Sequence, residues 1–336
     1  MSSELEAGPR LSPLLILGSP RSGTTFLAHM VNRFFDMRVS RDNGTLLRFA
    51  GLRQHYEPLS NDANLRRLIE HLYADHYIQE RLLGRGLKLS QSELLDRVRD
   101  RSYAGLIDAI FSAIAAERGR STWGYKRASM ASVTGENVNS LFPTAKFVHI
   151  IRDAREVVLS MGAASRALLE RSWHFGAADW AMHVTRGRDV AKYIGPGRYH
   201  EIRYERFMAD PAEVLIEVLD FCGGGPDRDA RAARIRAEIP QLVKKGNTEK
   251  WRTQLPPKAI RQVERAAGPV LKELGYPLMF PEVSGLPVGP AELAYLQAQR
   301  MVLNLLGAPL KGLIRYRLEV LKGRHRARTT ASDDDE

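Results

Sequence analysis

The chain reads as an α/β protein, a mostly parallel sheet flanked by helices with a basic helical extension at its C-terminal end. Three observations predict this. Short apolar runs bounded by turn residues alternate with stretches of helical periodicity, the pattern of a parallel sheet covered on both faces. The junctions between them carry helix-start signals. Composition is that of a globular chain with a sizeable core: 336 residues, 44% hydrophobic and 26% charged.

Taken in order, LLIL at 14–17 is a buried strand that ends in turn residues, and TTFLAHMVNRFF after it has apolar residues at helical spacing. Residues 60–120 are rich in Leu, Ala, Arg and Glu and predict helices over the substrate side of the sheet. AKFVHIIRDAREVVLSM repeats the first unit, with Phe147, Val148, Ile150 and Ile151 in a strand and a helix over 154–165. A third unit places a strand near 199–204 and opens a helix with Asp210 as N-cap and Pro211 at the first helical position. Pro and Gly at 277–290 mark a boundary, dividing a domain of residues 1–285 from an extension of 286–336 with an acidic end.

The single cysteine, Cys222, excludes an intrachain disulfide, and the opening MSSELEAGPR lacks a secretory signal pattern, so a cytoplasmic setting is expected. No apolar stretch approaches the roughly 18 residues of a membrane span. The net charge of +11 suits anionic ligands or surfaces. Nucleic acid is not expected, because finger spacings, RNA-binding signatures and a basic region running into heptads are all missing. No metal is expected either: His71 and His76 have no partner at ligand spacing.

The loop between the first strand and helix, Gly18-Ser19-Pro20-Arg21-Ser22-Gly23-Thr24-Thr25, is the main chemical signal. Such a loop aims backbone N–H groups at the positive end of a helix dipole and makes an anion cradle. Ser22, Thr24 and Thr25 add hydroxyls, and Arg21 adds charge. Gly18 and Gly23 have the spacing of a P-loop, but Thr24 stands where a nucleotide triphosphate loop carries lysine. The fold expected is therefore P-loop-like. A P-loop-type nucleotide kinase or nucleotide-binding protein is the alternative reading, opposed by that missing lysine.

PRSGTT at 20–25 resembles the first signature of the PAPS-dependent sulfotransferases, which move a sulfuryl group from 3′-phosphoadenosine 5′-phosphosulfate (PAPS) to a hydroxyl. The resemblance implies that Arg21, Ser22, Gly23, Thr24 and Thr25 hold the 5′-phosphosulfate, that Arg21 stabilises the bridging oxygen, and that Phe26 lies against the adenine. FVHIIRDAREVVLS is similar to the family's second signature, which implies that Arg152 and Ser160 bind the 3′-phosphate; Ala154 replaces the usual proline. RYERFMADP resembles a segment whose tyrosine approaches the adenine, here Tyr204, with Arg206 in place of the usual acidic residue. VKKGNTEKW is similar to the family's Arg-Lys-Gly loop with a tryptophan five residues after the glycine. It implies that Lys244, Lys245 and Gly246 close over the 3′-phosphate, with Trp251 at the matching distance. The likeness spans about 12–280. It implies PAPS as donor, no metal, and a hydroxyl-bearing acceptor, a carbohydrate, lipid or other small molecule.

The catalytic base is a departure. Relatives with a histidine base carry it two residues after a lysine before the second signature; here the lysine is Lys126 and that position is Ala128. Other relatives use a carboxylate about twenty residues beyond the first loop, which implies Asp42. Asp42-Asn43-Gly44 is also ordinary turn chemistry, and His55 and Glu57 are reserves. In the extension, Leu303, Leu306, Leu310, Leu313 and Ile314 share an apolar side beside Lys311, Arg315, Arg317 and Lys322. That pattern fits peripheral contact with acidic lipid, or equally packing on the core or on a second subunit.

Overall fold

A computed structural model describes residues 11–287 except 42–44, 76–77, 79–88, 128–134, 165–172, 226, 244–245 and 247, with isolated positions beyond 287. The first strand, β1 (Leu14–Leu17), is buried along its whole length and runs into α1 (Thr24–Phe34). β2 (Met37–Arg41) and α2 (Thr45–Leu52) follow, then α3 (Asp62–Ala74), α4 (Gln91–Arg97) and α5 (Tyr103–Glu117), then β3 (Thr122–Arg127) and α6 (Gly135–Leu141). β4 (Lys146–Ile151), α7 (Ala154–Ala164), α8 (Trp173–Ile194) and β5 (Tyr199–Arg203) complete the sheet and its cover. The chain goes on through α9 (Tyr204–Ala209), α10 (Pro211–Phe221), α11 (Arg228–Leu242), α12 (Trp251–Gln254) and α13 (Pro257–Glu273).

All pairings in the five-stranded sheet are parallel, in the order β2-β3-β1-β4-β5. Strand alternation divides the core between the two faces. Leu15, Leu17, Tyr125 and Phe147 pack with the helices of 45–117, whereas Leu14, Ile16, Val148 and Ile150 pack with α1, α10 and α11. After β1 the chain fills one half of the sheet and then crosses to β4 in the other. The C-terminal ends of β1 and β4 thus flank a topological switch point, where open α/β sheets bind ligands.

The predicted α/β class and the three strand-helix units are present, and 60–120 supplies helices. Two details differ. Tyr204 opens α9 instead of ending the strand, and Asp210 precedes Pro211 as expected but its side chain makes no capping hydrogen bond. The extension of 286–336, expected to be helical, lies outside the described residues apart from isolated positions.

Candidate active site

The turn between β1 and α1 is held by contacts that only glycine permits. A Cβ on Gly18 would lie 2.7 Å from the Ile150 carbonyl oxygen, and one on Gly23 would lie 2.6 Å from the Tyr204 ring. Gly23 (φ 97°) and Arg21 (φ 69°) are left-handed, which turns the loop back towards the helix. Gly23 caps α1 without a side chain, and Leu27 is the first residue to bond back, to the Gly23 carbonyl at 3.0 Å. The N–H groups of the first turn therefore have no helical acceptor and face the loop. Ser22 is fully buried, and its Oγ has no hydrogen-bond partner among the described residues.

β4 and α7 build the opposite wall. Ala154 opens α7 without the family's proline because Asp153 holds the start: its Oδ1 accepts from the Arg155 amide at 2.8 Å. Trp180 Nε1 donates to the Arg152 carbonyl at 2.9 Å. The Arg152 guanidinium donates to Glu156 at 2.9 Å and to the Arg21 carbonyl at 3.3 Å, and lies 4.3 Å from the Tyr204 ring centre. Arg21 Nε donates to Ser160 Oγ at 3.1 Å, joining the loop to α7.

Between the walls is a cavity of about 500 Å³ lined by Arg21, Gly23, Thr24, Thr25, Phe26, His29, Arg152, Glu156, Leu159, Ser160, Tyr204, Lys250 and Gln254. Arg21, Arg152 and Lys250 give it a cationic lining, and the one carboxylate among the described lining residues, Glu156, is paired with Arg152. Two places in it suit an anion: the start of α1, and the Arg152–Ser160 face of α7.

The cavity thus gathers Arg21, Gly23, Thr24, Thr25, Phe26, Arg152, Ser160 and Tyr204 as expected, with Ser22 behind the loop. Phe26 also packs on Phe207, ring centres 5.4 Å apart. Gly246 is exposed and does not line the cavity, and Trp251 is buried under Arg155 rather than facing a ligand. Arg206, the departure from the family pattern, points to Glu217 in an exposed ion pair. Asp42, Lys244, Lys245 and Ala128 lie outside the described residues. The reserves His55 and Glu57 are exposed and off the cavity; Glu57 accepts from the Leu59 amide at 3.0 Å.

Sequence reasoning missed His29, Glu156, Leu159, Lys250 and Gln254 as lining residues, and Lys126 beside them. Lys126 Nζ donates to Thr25 Oγ1 at 3.0 Å because β3 lies parallel to β1 with Lys126 opposite Ile16. The amine that a P-loop would carry after its glycine therefore comes from the neighbouring strand. His29 had a signal, since it lies four residues after Thr25 on the same helix face. Among the described residues no cluster of His, Cys, Asp and Glu is arranged to hold a metal.

The family model described as "Sulfotransferase family" matches residues 13–225. Protein-tyrosine sulfotransferase of Drosophila melanogaster is 23% identical over 288 residues, covering 80% of this chain but 52% of that protein. The chain thus spans about half the length of that relative. Protein-tyrosine sulfotransferase 2 of Gallus gallus is 21% identical over 286 residues, 79% of this chain and 69% of that one. Among solved structures, the sulfotransferase domain of the Synechococcus PCC 7002 olefin synthase aligns with a TM-score of 0.47 at 18% identity, over 83% of this chain and 99% of that domain. With the family match spanning the cradle, the Arg152–Ser160 wall and Tyr204, the chain belongs to the sulfotransferase family.

Proposed function

We propose that the chain is a PAPS-dependent sulfotransferase, transferring the sulfuryl group to a hydroxyl of an acceptor and releasing 3′-phosphoadenosine 5′-phosphate. The observation that carries this is the presence of two anion places in one cavity, the α1 start and the Arg152–Ser160 face, which suits a donor with anionic groups on both the 5′ and 3′ positions. The residues fit such a donor. Among the described residues the buried Ser22 hydroxyl has no partner, and Arg21, Arg152 and Lys250 line the cavity with positive charge.

In this reading the first-turn N–H groups of α1, with Thr24 and Thr25, orient the 5′ end of the donor, and Arg152 and Ser160 select the 3′-phosphate. Arg21 and Lys126 supply positive charge where the leaving group gains negative charge, so electrostatics and positioning do the work that they do in phosphoryl transfer. Phe26 and Tyr204 offer aromatic faces to the base. Asp42 removes the acceptor's proton, and Lys244 and Lys245 complete the 3′ end, while Gly246 supplies the turn that carries them without lining the cavity.

Two finer readings accompany this. The basic extension makes peripheral contact with acidic lipid; among the described residues no helix is long and apolar enough to cross a membrane. A cytoplasmic setting goes with the single, buried Cys222.

Thermal shift tests the donor reading. Stabilisation by 3′-phosphoadenosine 5′-phosphate without Mg²⁺ is expected. Stabilisation by Mg-ATP alone would support the nucleotide kinase instead.

A further inference from the structure

The carboxylate of Glu156 makes two contacts that the signatures do not account for. It is 2% exposed, and each of its oxygens takes a different donor: Oε2 accepts from the Arg152 guanidinium at 2.9 Å, and Oε1 accepts from the backbone amide of Trp251 at 3.0 Å. The first partner is the cation placed at the 3′ end of the cavity. The second starts α12, whose neighbours Lys250 and Gln254 line the cavity from the other side.

Trp251 is held from two consecutive residues of α7. Its ring lies under the Arg155 guanidinium, 3.7 Å from carbon to ring centre, while Glu156 holds its amide. Arg155 is in turn fixed by Asp153 at 2.6 Å and Glu264 at 2.7 Å. One side of Trp251 thus rests on a rigid buried network. The other depends on a carboxylate shared with Arg152.

We propose that Glu156 is a positioning residue that couples the two sides of the donor site, so that Arg152 and Lys250 present their charges to the same ligand only while its carboxylate bridges them. This rests on the donor reading above. The chemistry is particular to glutamate at this place. A carboxylate accepts on both oxygens, whereas an amide would turn its NH₂ towards one of the two donors, and aspartate is one methylene too short to span both. With the bridge gone, a buried amide loses its acceptor and the guanidinium loses its anchor.

The test is a double-mutant cycle on calorimetric binding of 3′-phosphoadenosine 5′-phosphate, using Lys250→Ala and Glu156→Ala in the full chain. Hydrogen exchange of peptides spanning 248–256 is measured on the same proteins without ligand. Glu156→Asp serves if the alanine variant does not fold. Lys250→Ala is expected to weaken binding about tenfold in the wild-type background and less than about twofold when Glu156 is changed. Exchange at 248–256 is expected to quicken at least about tenfold in the Glu156 variant. A role confined to stability would leave the Lys250 contribution intact. Equal Lys250 losses in both backgrounds, no Lys250 loss in wild type, or unchanged exchange overturns the proposal. If the wild type binds no 3′-phosphoadenosine 5′-phosphate at all, it is the donor reading that falls, and the ligand-free exchange alone decides the coupling.

Discussion

Arg152→Ala separates donor recognition from folding, and the structure sets both magnitudes. The Arg152 side chain is 7% exposed and pairs with a Glu156 side chain that is 3% exposed. Removing it leaves a buried carboxylate with only the Trp251 amide as donor, which should cost about 3–5 kcal/mol of stability. The same change removes charge-assisted hydrogen bonds to the 3′-phosphate, about 1.5–3 kcal/mol each, so affinity for 3′-phosphoadenosine 5′-phosphate should fall at least about tenfold. Adenosine 5′-phosphosulfate lacks that phosphate, and its binding should change by less than about threefold. Calorimetry with both ligands, beside urea denaturation of the same preparation, reads the two effects independently. Adding Glu156→Ala should recover part of the stability but none of the discrimination between ligands. Equal losses for the two ligands would refute the assignment of Arg152 to the 3′-phosphate.

Further outcomes follow from single residues. Gly23→Ala forces a Cβ to within 2.6 Å of the Tyr204 ring at φ 97°, so donor affinity should drop at least about tenfold; unchanged affinity in Gly23→Ala would show that the cradle tolerates a side chain. Burial, with Arg188 nearby, pushes the His149 pKa down from 6.5 to about 4 against the opposing pull of the Glu201 carboxylate. A depressed pKa means stability that is present above about 6.5 and lost as pH falls towards 4, about 3 kcal/mol in all, so His149→Phe should flatten the denaturation-midpoint profile over that window, and parallel profiles would refute it. Asp42→Asn should lower kcat by about 10²–10⁴ with affinity for 3′-phosphoadenosine 5′-phosphate unchanged; retained turnover, with loss in His55→Ala or Glu57→Gln, would move the base. A chain ending at Gly285 should lose flotation with acidic liposomes that the full chain shows, and identical behaviour would end the lipid reading.

The parts of the fold that were legible in sequence are those where local pattern and tertiary role agree. LLIL is buried on both faces and carries no polar residue, so it reads as a central strand. β2 and β3 do not. Met37 and Val39 are buried but alternate with the polar Arg38 and Ser40, Arg41 closes the strand, and β3 includes Gly124, needed because a Cβ there would meet Val39 at 2.8 Å and the Leu14 carbonyl at 3.1 Å. α8 carries a helix-weakening residue for a similar reason: Gly187 lies inside the unbroken helix, and a Cβ at that position would lie 2.4 Å from the His149 ring. Long-range contact, not helix propensity, chose that glycine.

The site shows the same division. Its loop and its α7 residues are contiguous motifs and were named from sequence. Lys126 reaches Thr25 only through strand register, and Lys250 and Gln254 reach the cavity only through the docking of α12, which no local spacing encodes. Glu156 lies within a contiguous motif, yet its significance rests on a bond to residue 251 that only the folded chain brings within reach.

Sulfur-labelled PAPS offered with hydroxyl acceptors, sugars, phenols, steroids, lipids and tyrosine peptides, in the absence of divalent metal, tests the central claim most directly. The account predicts label on at least one acceptor class with equimolar release of 3′-phosphoadenosine 5′-phosphate, and loss of both in Arg152→Ala at donor concentrations that saturate the wild type. Absence of label on every class, together with transfer of the terminal phosphate from Mg-ATP, would contradict it.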